Sequence, residues 1–457
     1  MLLRNVASRQ AKASFSRPAS GLATSIAAKA QNAVNSSETA LERISNKTLI
    51  RSLILTSVMR RHWIMRPSLK FLEVITTAKN FWLNADRNPI LNRLLRWTIY
   101  NHFCAGSNKT QVARSMDEVK GLGYQGVILG HAKEAVLDPE AGGVYSSDHK
   151  YGPACYQMVE EWKKSSLETL RMLQPGDFLA VKLTGAGPIC LDAMQARESM
   201  PQIILDAMHE ICTETKQRGS RLWVDAEQQI LQISLDDWVI ELMRQYNKDG
   251  KALIYNTIQA YLKAARYNAA RHIILAAKEG WTLGVKLVRG AYIEHDVRSL
   301  IHDTKEETDR SYDDIVEMMI SRKLPKTEEC EKLTFPAAAL FLATHNHASV
   351  AKAVEMYLLR LNEGRSTMSL DCGQIYGMAD ELSYALLASC ERYVVDASTN
   401  SLMVPGVFKY LPWGSVAECM GYLHRRAIEN RGAVERTQHM LDALKKELRR
   451  RVIGKIR

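Results

Sequence analysis

Apolar residues follow two alternating patterns from about residue 124 onwards. Eight short runs rich in valine, isoleucine and leucine, typical of strands buried on both faces, lie at residues 126–130, 178–185, 221–227, 252–259, 284–292, 341–346, 367–377 and 406–414. Longer stretches between them, such as 257–279 and 347–362, repeat apolar positions every three to four residues and predict helices. Strands that alternate with helices pair in parallel through right-handed crossovers. The pattern therefore predicts an α/β protein with a closed (β/α)8 barrel of the TIM type.

An open, doubly wound sheet is the alternative arrangement of alternating strands and helices. Such a sheet usually carries a glycine-rich dinucleotide-binding turn after its first strand. No such turn follows residues 126–130. The long interval 131–177 instead holds turn-rich sequence and then a predicted helix near 155–173. We therefore favour the barrel.

The segments that flank the barrel differ from it in composition. Residues 1–37 carry five basic residues and no acidic residue, which predicts a mitochondrial transit peptide, with a disordered basic tail as the alternative. Residues 38–119 predict an N-terminal helical arm that packs on the barrel of residues 120–432. Residues 433–457 predict a basic C-terminal helix, whose basic face is either solvated or in contact with a membrane surface.

Charge and cysteine content exclude several classes of protein. Removing the five basic residues of 1–37 from the net charge of +11 leaves +6, which is too small and too scattered to predict nucleic-acid binding. The eight cysteines include no CxxC pair and no zinc-like spacing with histidine, so we expect buried thiols and no metal site. No run approaches the roughly 18 apolar residues of a membrane span, so any membrane contact is expected to be peripheral.

Polar residues end most of the predicted strands. Active sites of (β/α)8 barrels lie at the ends of the strands, so these residues are candidates for binding and catalysis. They are Lys182, Asp225, Glu227, Gln259, Lys286, Arg289, Thr344, His345, Asn346, Gln374 and Tyr410. Any one of them alone is equally well explained as a satisfied core group, but the whole set predicts a binding site.

The segment after the eighth predicted strand carries the sharpest local signal. Pro412 and Gly414 predict a turn. Ser415, with Glu418 three residues later, predicts a capping box at the start of a helix. One face of that helix carries Tyr422, Arg425, Arg426 and Glu429. Two arginines on a helix at a barrel mouth suit a carboxylate or a phosphate, whereas a pair of surface salt bridges is the alternative.

Six short motifs occur in the order typical of one enzyme family. They are DAEQ (225–228), QAYLK (259–263), KLVRGAY (286–292), ATHN (343–346), GQIYGM (373–378) and YLHRRAIEN (422–430). Together they resemble the proline dehydrogenases, also called proline oxidases. The resemblance covers roughly residues 120–432, and NHFCAG (101–106) is most similar to the fungal mitochondrial members.

The resemblance implies an activity and a set of charged residues. Members of the family oxidise L-proline to Δ1-pyrroline-5-carboxylate by hydride transfer to FAD, pass the electrons to ubiquinone, and so begin proline catabolism to glutamate. Arg425 and Arg426 match the pair that binds the proline carboxylate, and Lys182 matches a third cation. Asp225 matches the acid that holds this cationic cluster in place by pairing with an arginine.

The resemblance also implies the walls of the substrate site and the cofactor contacts. Tyr410, Tyr422 and Ile375 match residues that enclose the substrate ring. The positions that match FAD contacts are Gln259, Lys286, Gly290, Ala291, Thr344, His345 and Glu429. Lys286 is implied near the part of the flavin that gains negative charge on reduction, where a cation assists catalysis.

Location, partners and alternatives follow from the same resemblance. It implies the mitochondrial matrix or the matrix face of the inner membrane, with L-proline and ubiquinone as partners. A hydroxyproline dehydrogenase is one alternative, in which the position of Tyr410 tends to be smaller. A catalytically silent binding relative is another, and the complete set of Lys182, Asp225, Arg425 and Arg426 argues against it.

Overall fold

A closed barrel of eight parallel strands forms the centre of the molecule. The structure is a computed structural model that describes residues 40–454, apart from residues 60, 79, 133–150, 294, 326–327, 398–403 and 430–433. The strands are β1 (Gly126–His131), β2 (Phe178–Val181), β3 (Arg221–Val224), β4 (Ile254–Gln259), β5 (Leu283–Val288), β6 (Ala338–Ala343), β7 (Ser369–Ile375) and β8 (Gly406–Trp413). They pair in sequence order, and β8 closes on β1. The predicted barrel and all eight predicted strands are confirmed.

Helices surround the barrel, and further helices precede its first strand and follow its last strand along the chain. They are α1 (Asn46–Met59), α2 (His62–Thr77), α3 (Pro89–Leu95), α4 (Lys109–Gly121), α5 (Pro153–Met172), α6 (Pro188–Ala196), α7 (Gln202–Gln217), α8 (Gln229–Tyr246), α9 (Ala265–Glu279), α10 (Lys305–Ile320), α11 (His347–Asn362), α12 (Asp380–Ala397), α13 (Val416–Glu429) and α14 (Val434–Gly454). A π-helical turn, Arg96–Tyr100, and a short helix, Asn101–Phe103, continue α3.

The predicted element boundaries hold for some elements and shift for others. The predicted helix 347–362 coincides with α11. The predicted helix 257–279 is too long at its start, because Gln259 still pairs with Val288 in the sheet and α9 begins only at Ala265. The third predicted strand, 221–227, is too long at its end, because β3 stops at Val224.

Aromatic side chains fill the interior of the barrel. The ring of Phe178 lies within 5.4 Å of the rings of Trp223, Tyr255, Phe341 and Phe408, measured between ring centres. Alternate residues of each strand point inwards, so large rings from several strands meet and leave no channel. Polar chemistry in the interior is therefore confined to the two ends of the barrel.

The first helix of the barrel is α4, and this corrects the predicted boundary between arm and barrel. That boundary, between residues 119 and 120, falls inside α4. Val112, Met116 and Val119 on α4 are buried in the same core that joins the strands to the outer helices. Because α4 buries this face against the barrel, it belongs to the barrel and not to the arm.

Residues 46–103 are largely helical and pack on one side of the barrel. Helix α2 packs against α13, the helix that follows β8. Leu72 and Ile75 of α2 share a buried cluster with Met420 and Leu423 of α13. The inner side of α2 therefore supports the helix on which the predicted arginine pair lies.

The basic C-terminal helix α14 packs against α1. Arg450 pairs with Glu447 at 2.8 Å and with Glu42 at 3.1 Å. Arg451 pairs with Glu447 at 2.6 Å and donates to the Asn46 side chain at 2.6 Å. Much of the basic charge predicted to face solvent or a membrane is thus paired within the protein.

Two further predictions concern the compartment and the membrane. The predicted transit peptide, residues 1–37, lies outside the described residues. All eight cysteines are free thiols; Cys155 is half-buried and the other seven are buried. Within residues 40–454, and outside the gaps given above, no helix is long and apolar enough to cross a bilayer.

Candidate active site at the mouth of the barrel

An ion pair between Lys286 and Asp225 lies at the upper end of the barrel interior. Lys286 extends from β5, and Asp225 directly follows β3. The side chain of Lys286 is 10% exposed and that of Asp225 is 24% exposed. The ammonium group also lies 4.4 Å from the ring centre of Trp223. A carboxylate and an aromatic face together offset the loss of water around this cation, so a positive charge is held just below the mouth.

This pairing differs from the one that the sequence predicts for Asp225. The predicted partner is an arginine, Arg425 or Arg426, whereas the ion pair found for Asp225 is with Lys286. Strands β3 and β5 are next-but-one neighbours, and side chains from alternate strands occupy the same level of a barrel. The role of Asp225 towards the arginines stays a prediction.

Nearly parallel aromatic rings connect this ion pair to α13. The rings of Trp223 and Tyr410 lie 6.3 Å apart with an interplanar angle of 13°, and those of Tyr410 and Tyr422 lie 6.3 Å apart at 19°. The guanidinium group of Arg426 lies 5.6 Å from the ring centre of Tyr422. Five predicted site residues, among them Lys286 and Asp225, are therefore brought into one continuous region.

The two arginines of α13 are half-buried. The Nε atoms of Arg425 and Arg426 are both withdrawn from solvent. Hydrogen bonds from a guanidinium group to an anion are stronger where water is excluded. The side chain of Glu429, on the same predicted face, lies outside the described part of the chain.

A capping box holds the start of α13, as the sequence predicts. The Ser415 N–H donates to Glu418 Oε2 at 2.8 Å, and the Glu418 N–H donates to Ser415 Oγ at 3.2 Å. His131, at the end of β1, lies 3.6 Å from the same carboxylate and hydrogen-bonds Ser165 at 2.8 Å. The hydrogen bond from His131, together with those from Ser415, lowers the pKa of Glu418 to about 2, although partial burial opposes this. A role for His131 thus emerges only from the structure.

The turn between β8 and α13 is clamped by the end of the arm. Gly414 has a φ of +148°, which side chains rarely tolerate. Its N–H donates to Gly106 O at 3.1 Å, and its carbonyl accepts from the Tyr100 hydroxyl at 2.7 Å. The Ala105 N–H donates to Pro412 O at 2.8 Å. The position of the arginine helix is therefore fixed by residues from both ends of the chain.

Lys182 lies at the same end of the barrel in a separate polar cluster. Its ammonium group is 5.3 Å from the ring centre of Tyr292. The Tyr292 hydroxyl donates to Glu227 at 3.2 Å, and the Thr184 hydroxyl donates to the same carboxylate at 2.7 Å. Burial raises the pKa of Glu227, while Lys182 and the hydrogen bonds from Thr184 act in the opposite direction.

Gln259 connects this cluster to the loop after β5. Its Nε2 atom donates to Glu227 O at 3.0 Å, and its Oε1 atom accepts from the Ala291 N–H at 3.2 Å. Gly290 beside it has a φ of +152°, and a Cβ there would run into the ring of Tyr261. The glycine is thus required by backbone conformation and by Tyr261, a reason additional to the close cofactor approach that the resemblance implies.

Thr344 and His345 follow β6 and contact neighbouring segments. The Arg289 guanidinium donates to the Thr344 hydroxyl at 2.7 Å. The Nε2 atom of His345 accepts from the Ile375 N–H at 3.2 Å. Ile375 lies beside Tyr410 in the register of β7 and β8. These residues form the side of the mouth next to the aromatic stack.

Sequence reasoning missed Trp223 and Tyr292 in this region. Glu227 is among the predicted strand-end candidates, but the motifs give it no role. One signal was available for Trp223: it precedes Asp225 by two positions, and residues two apart in a strand share a face. Among the described residues, no group of three or more His, Cys, Asp or Glu side chains is placed to hold a metal ion.

A parallel eight-stranded barrel whose strands end in cationic and aromatic side chains, with two half-buried arginines on the helix after β8, has the architecture of (β/α)8 enzymes. The family model described as "Proline dehydrogenase" matches residues 112–439. The chain belongs to the proline dehydrogenase family.

Curated relatives of this family cover most of the chain. The chain is 28% identical over 459 residues to "Probable proline dehydrogenase, mitochondrial" of Schizosaccharomyces pombe, which spans 90% of each protein. It is 28% identical to "Proline dehydrogenase 1, mitochondrial" of Arabidopsis thaliana over 84% of this chain and 80% of that one. A human protein of the same name is 32% identical over 54% of this chain and 39% of its own length.

Solved structures support the fold. Proline utilization A from Bdellovibrio bacteriovorus, inactivated by N-propargylglycine, aligns with a TM-score of 0.62 at 14% sequence identity. The alignment covers 91% of this chain, but the chain spans only 42% of that larger protein. The similarity at this level of identity concerns the barrel fold.

Proposed function

We propose that this protein catalyses the FAD-dependent oxidation of L-proline to Δ1-pyrroline-5-carboxylate. The single observation that carries the proposal is the continuous region from the Lys286–Asp225 pair through two tyrosines to Arg426, in a chain of this family. Each member of that region suits one part of the substrate. The electrons pass to ubiquinone, and the protein acts in the mitochondrial matrix or at the matrix face of the inner membrane.

The substrate carboxylate is bound by the cations at the mouth. Arg425 and Arg426 present guanidinium groups from one helix, and a guanidinium group matches a carboxylate in shape as well as in charge. The clamped turn at Gly414 fixes where this helix begins. Lys182 contributes a third positive charge at the same end of the barrel.

Aromatic and aliphatic side chains enclose the substrate ring. Tyr410 and Tyr422 present parallel faces, and Ile375 lies beside Tyr410 in the sheet. Apolar walls suit the methylene groups of the pyrrolidine ring and exclude water from the carbon that reacts. The Tyr410 hydroxyl fills the space above Gly130, where even an added Cβ would collide with it. The resemblance implies a smaller residue than Tyr410 at this position in hydroxyproline dehydrogenases, so the tyrosine favours proline over hydroxyproline.

The residues around β4, β5 and β6 suit FAD. Three apolar side chains are more than half exposed here: Ile230, Ile293 and Val297. They flank the hydrogen bond from the Gln229 N–H to Asp296. An apolar surface therefore borders the polar cluster of the mouth. Such a border matches a cofactor with an aromatic ring system and polar edges. The residues that would hold FAD are those implied by the resemblance: Gln259, Lys286, Gly290, Ala291, Thr344, His345 and Glu429. When bound, FAD accepts the hydride from the ring carbon next to the proline nitrogen.

The chain's own residues contribute position and charge. Asp225 holds the Lys286 ammonium group in place below the mouth, where its positive charge favours the build-up of negative charge nearby. The proline amine has to be neutral before a hydride leaves the neighbouring carbon, and solvent at the half-open mouth can take its proton. Gln259 is held at both ends of its amide and therefore keeps a fixed donor and acceptor direction.

Proline-dependent reduction of an artificial electron acceptor by the FAD-loaded protein tests the proposal. Purified protein is expected to show a visible flavin absorbance band that bleaches anaerobically when proline is added. Protein that stays colourless after incubation with FAD would contradict the flavin assignment and would favour a catalytically silent relative. A preference for trans-4-hydroxyproline in the same assay would overturn the choice of substrate.

A further inference from the structure

We propose that the outward face of the N-terminal arm docks the protein on an anionic lipid bilayer. This aromatic face consists of Trp63, Phe71, Val74, Phe81, Trp82, Ile90, Leu94 and Trp97. The inference rests on the proposed function in one respect only: the bilayer is taken to be the inner membrane, which contains the quinone. The binding itself is argued from the surface alone.

Large apolar side chains are unusually exposed in this short segment. Trp63, Trp82 and Trp97 are 74%, 75% and 72% exposed, and Ile90 is 80% exposed. Scattered apolar residues on a surface are ordinary, but this many large ones exposed between Trp63 and Trp97 are typical of an interaction site. Tryptophan is the residue that prefers the boundary between lipid headgroups and acyl chains.

Helix α2 has two apolar faces, and only one of them is covered. Leu69, Leu72 and Ile75 are buried on its inner side. Trp63, Phe71 and Val74 lie on the outer side, at spacings of eight and three residues that keep them on one face. A surface helix of a soluble protein normally carries polar residues on its outer face, so the second apolar face needs a partner.

The next segment continues the same pattern. Ile90, Leu94 and Trp97 recur at spacings of four and three residues along α3 and the π-helical turn that follows. Together with Pro89 and Arg93 they line a shallow surface hollow. Phe81 and Trp82, in the turn before α3, meet edge to face at 5.7 Å between ring centres. The aromatic face thus draws its residues from two helices and the turn between them.

The charge of the segment points to an anionic partner. The exposed cations interspersed with the apolar residues are Arg61, Arg66, Lys70, Arg87 and Arg93, against exposed Glu73 and Asp86. Each cation near a negatively charged membrane contributes about 1 kcal/mol of attraction. Cations mixed among tryptophans on exposed helices are the composition of an interfacial membrane surface.

The aromatic face lies directly behind the candidate substrate site. Helix α2 packs its inner side on α13, which carries Arg425 and Arg426. A docked arm would therefore hold α13 one helix layer, about 10 Å, from the bilayer surface. A lipid-dissolved electron acceptor could then approach the mouth without leaving the membrane boundary. This assigns membrane contact to the arm rather than to α14, whose Arg450 and Arg451 are paired internally.

Co-sedimentation of the FAD-loaded full chain with lipid vesicles tests the proposal. Vesicles of phosphatidylcholine with added cardiolipin are compared with vesicles of phosphatidylcholine alone. The Trp82→Ser/Trp97→Ser double variant is expected to weaken binding to the cardiolipin vesicles by at least about tenfold, because two interfacial anchors are lost. The Arg66→Gln/Arg93→Gln variant is expected to reduce the preference for the anionic vesicles.

Matched controls separate this surface from the other exposed apolar residues. Tyr267→Ser replaces an aromatic residue on α9 that is 77% exposed, and it is expected to bind as the parent does. Val452→Ser/Ile453→Ser removes the exposed apolar end of α14 and is expected to have the same small effect. Turnover with a soluble acceptor should be unchanged in every variant. If the parent itself shows no turnover with the soluble acceptor, the proposed activity is contradicted, whatever the result for lipid binding.

Two results would overturn the proposal. One is binding of the double tryptophan variant with the affinity of the parent. The other is self-association of the parent that depends on its concentration and is lost in this variant, while neither protein binds vesicles. In that case the aromatic face would contact a second copy of the chain. Circular dichroism and thermal unfolding establish that each variant is folded, as expected for substitutions at exposed positions.

Discussion

Two cation–carboxylate pairs lie at opposite ends of the barrel interior, and they are enclosed in opposite ways. At the lower end, Arg221 meets Asp371 at 2.8 Å, and the carboxylate is the enclosed member, at 8% exposure against 22% for the arginine. The guanidinium group lies 3.8 Å from the ring centre of Phe178. At the upper end the enclosed member is the cation, Lys286, and its partner Asp225 opens towards the mouth.

This difference indicates what each pair does. Burial raises the pKa of Asp371, and Arg221 is the cation that opposes this change. The lower pair therefore contributes to the closure and stability of the barrel. At the upper end, water can solvate Asp225 if its partner is lost, so this pair can change without unfolding the barrel. A sheltered positive charge near the mouth is suited to catalysis.

The largest expected effect comes from breaking the lower pair. Arg221→Met should lower the free energy of unfolding by about 3–5 kcal/mol, because it leaves an uncompensated buried carboxyl group. Urea denaturation followed by circular dichroism measures this loss. The Arg221→Met/Asp371→Leu variant is the control, and it should regain most of the stability because both partners are apolar. If Arg221→Met is as stable as the parent, this pair does not have the structural role assigned to it.

Changing the upper pair should affect turnover more than stability. Lys286→Met is expected to reduce the rate of proline-dependent flavin reduction by about 100-fold or more, because a preorganised charge is lost. Anaerobic rapid-mixing absorbance measures that rate, and urea denaturation should show a smaller loss of stability than Arg221→Met. Lys286→Arg keeps the charge and should recover part of the rate. An unchanged rate in Lys286→Met would mean that the two pairs have the same, structural, function.

The arginine helix tests where the mouth binds its anion. Arg425→Met and Arg426→Met are each expected to raise the KM for proline about ten- to hundredfold, which corresponds to the loss of a charged hydrogen bond of about 1.5–3 kcal/mol. Steady-state kinetics with an artificial acceptor measure this change. Arg392→Met, on the exposed side of α12, is the matched control and should leave KM unaltered. The assignment fails if both α13 variants keep the KM of the parent.

The smallest expected effect concerns the clamp at the start of α13. The folded-state pKa of Glu418 is lowered to about 2, so its stabilising effect is present above the ordinary carboxyl pKa and is lost as the pH falls towards 2. Glu418→Gln should therefore cost about 1–2 kcal/mol at neutral pH, and the difference from the parent should shrink in acid. Thermal unfolding over a pH series measures this. A difference that does not depend on pH would exclude the charged hydrogen bond as its source.

The sequence carried enough information to predict the barrel and the anchoring of α13. The run 406–414, for example, is mostly apolar, and β8 occupies all of it except its last residue, as expected for a strand buried on both faces. Ser415 and Glu418 could be paired because a capping box depends on residues three apart in the chain. Both features are local, which is why a single sequence suffices for them.

Features that depend on distant contacts could not be predicted in the same way. Asp225 and Lys286 are 61 residues apart, and only the packing of alternate strands brings them together. His131 gains a partner in Glu418 through the closure of β8 on β1. Helix α2 carries apolar residues around more than half of its circumference, and periodicity alone does not say which part of that surface is covered by α13.

The hydrogen bond from Tyr100 to Gly414 has a consequence for the timing of folding. Its two residues are 314 positions apart. A ribosome adds about 5–20 residues per second, so the arm is complete roughly 15–60 seconds before the turn that it clamps has been made. During that interval the inner side of the arm has no helix α13 to cover it. The clamp on the arginine helix can therefore form only after the last strand of the barrel has been made.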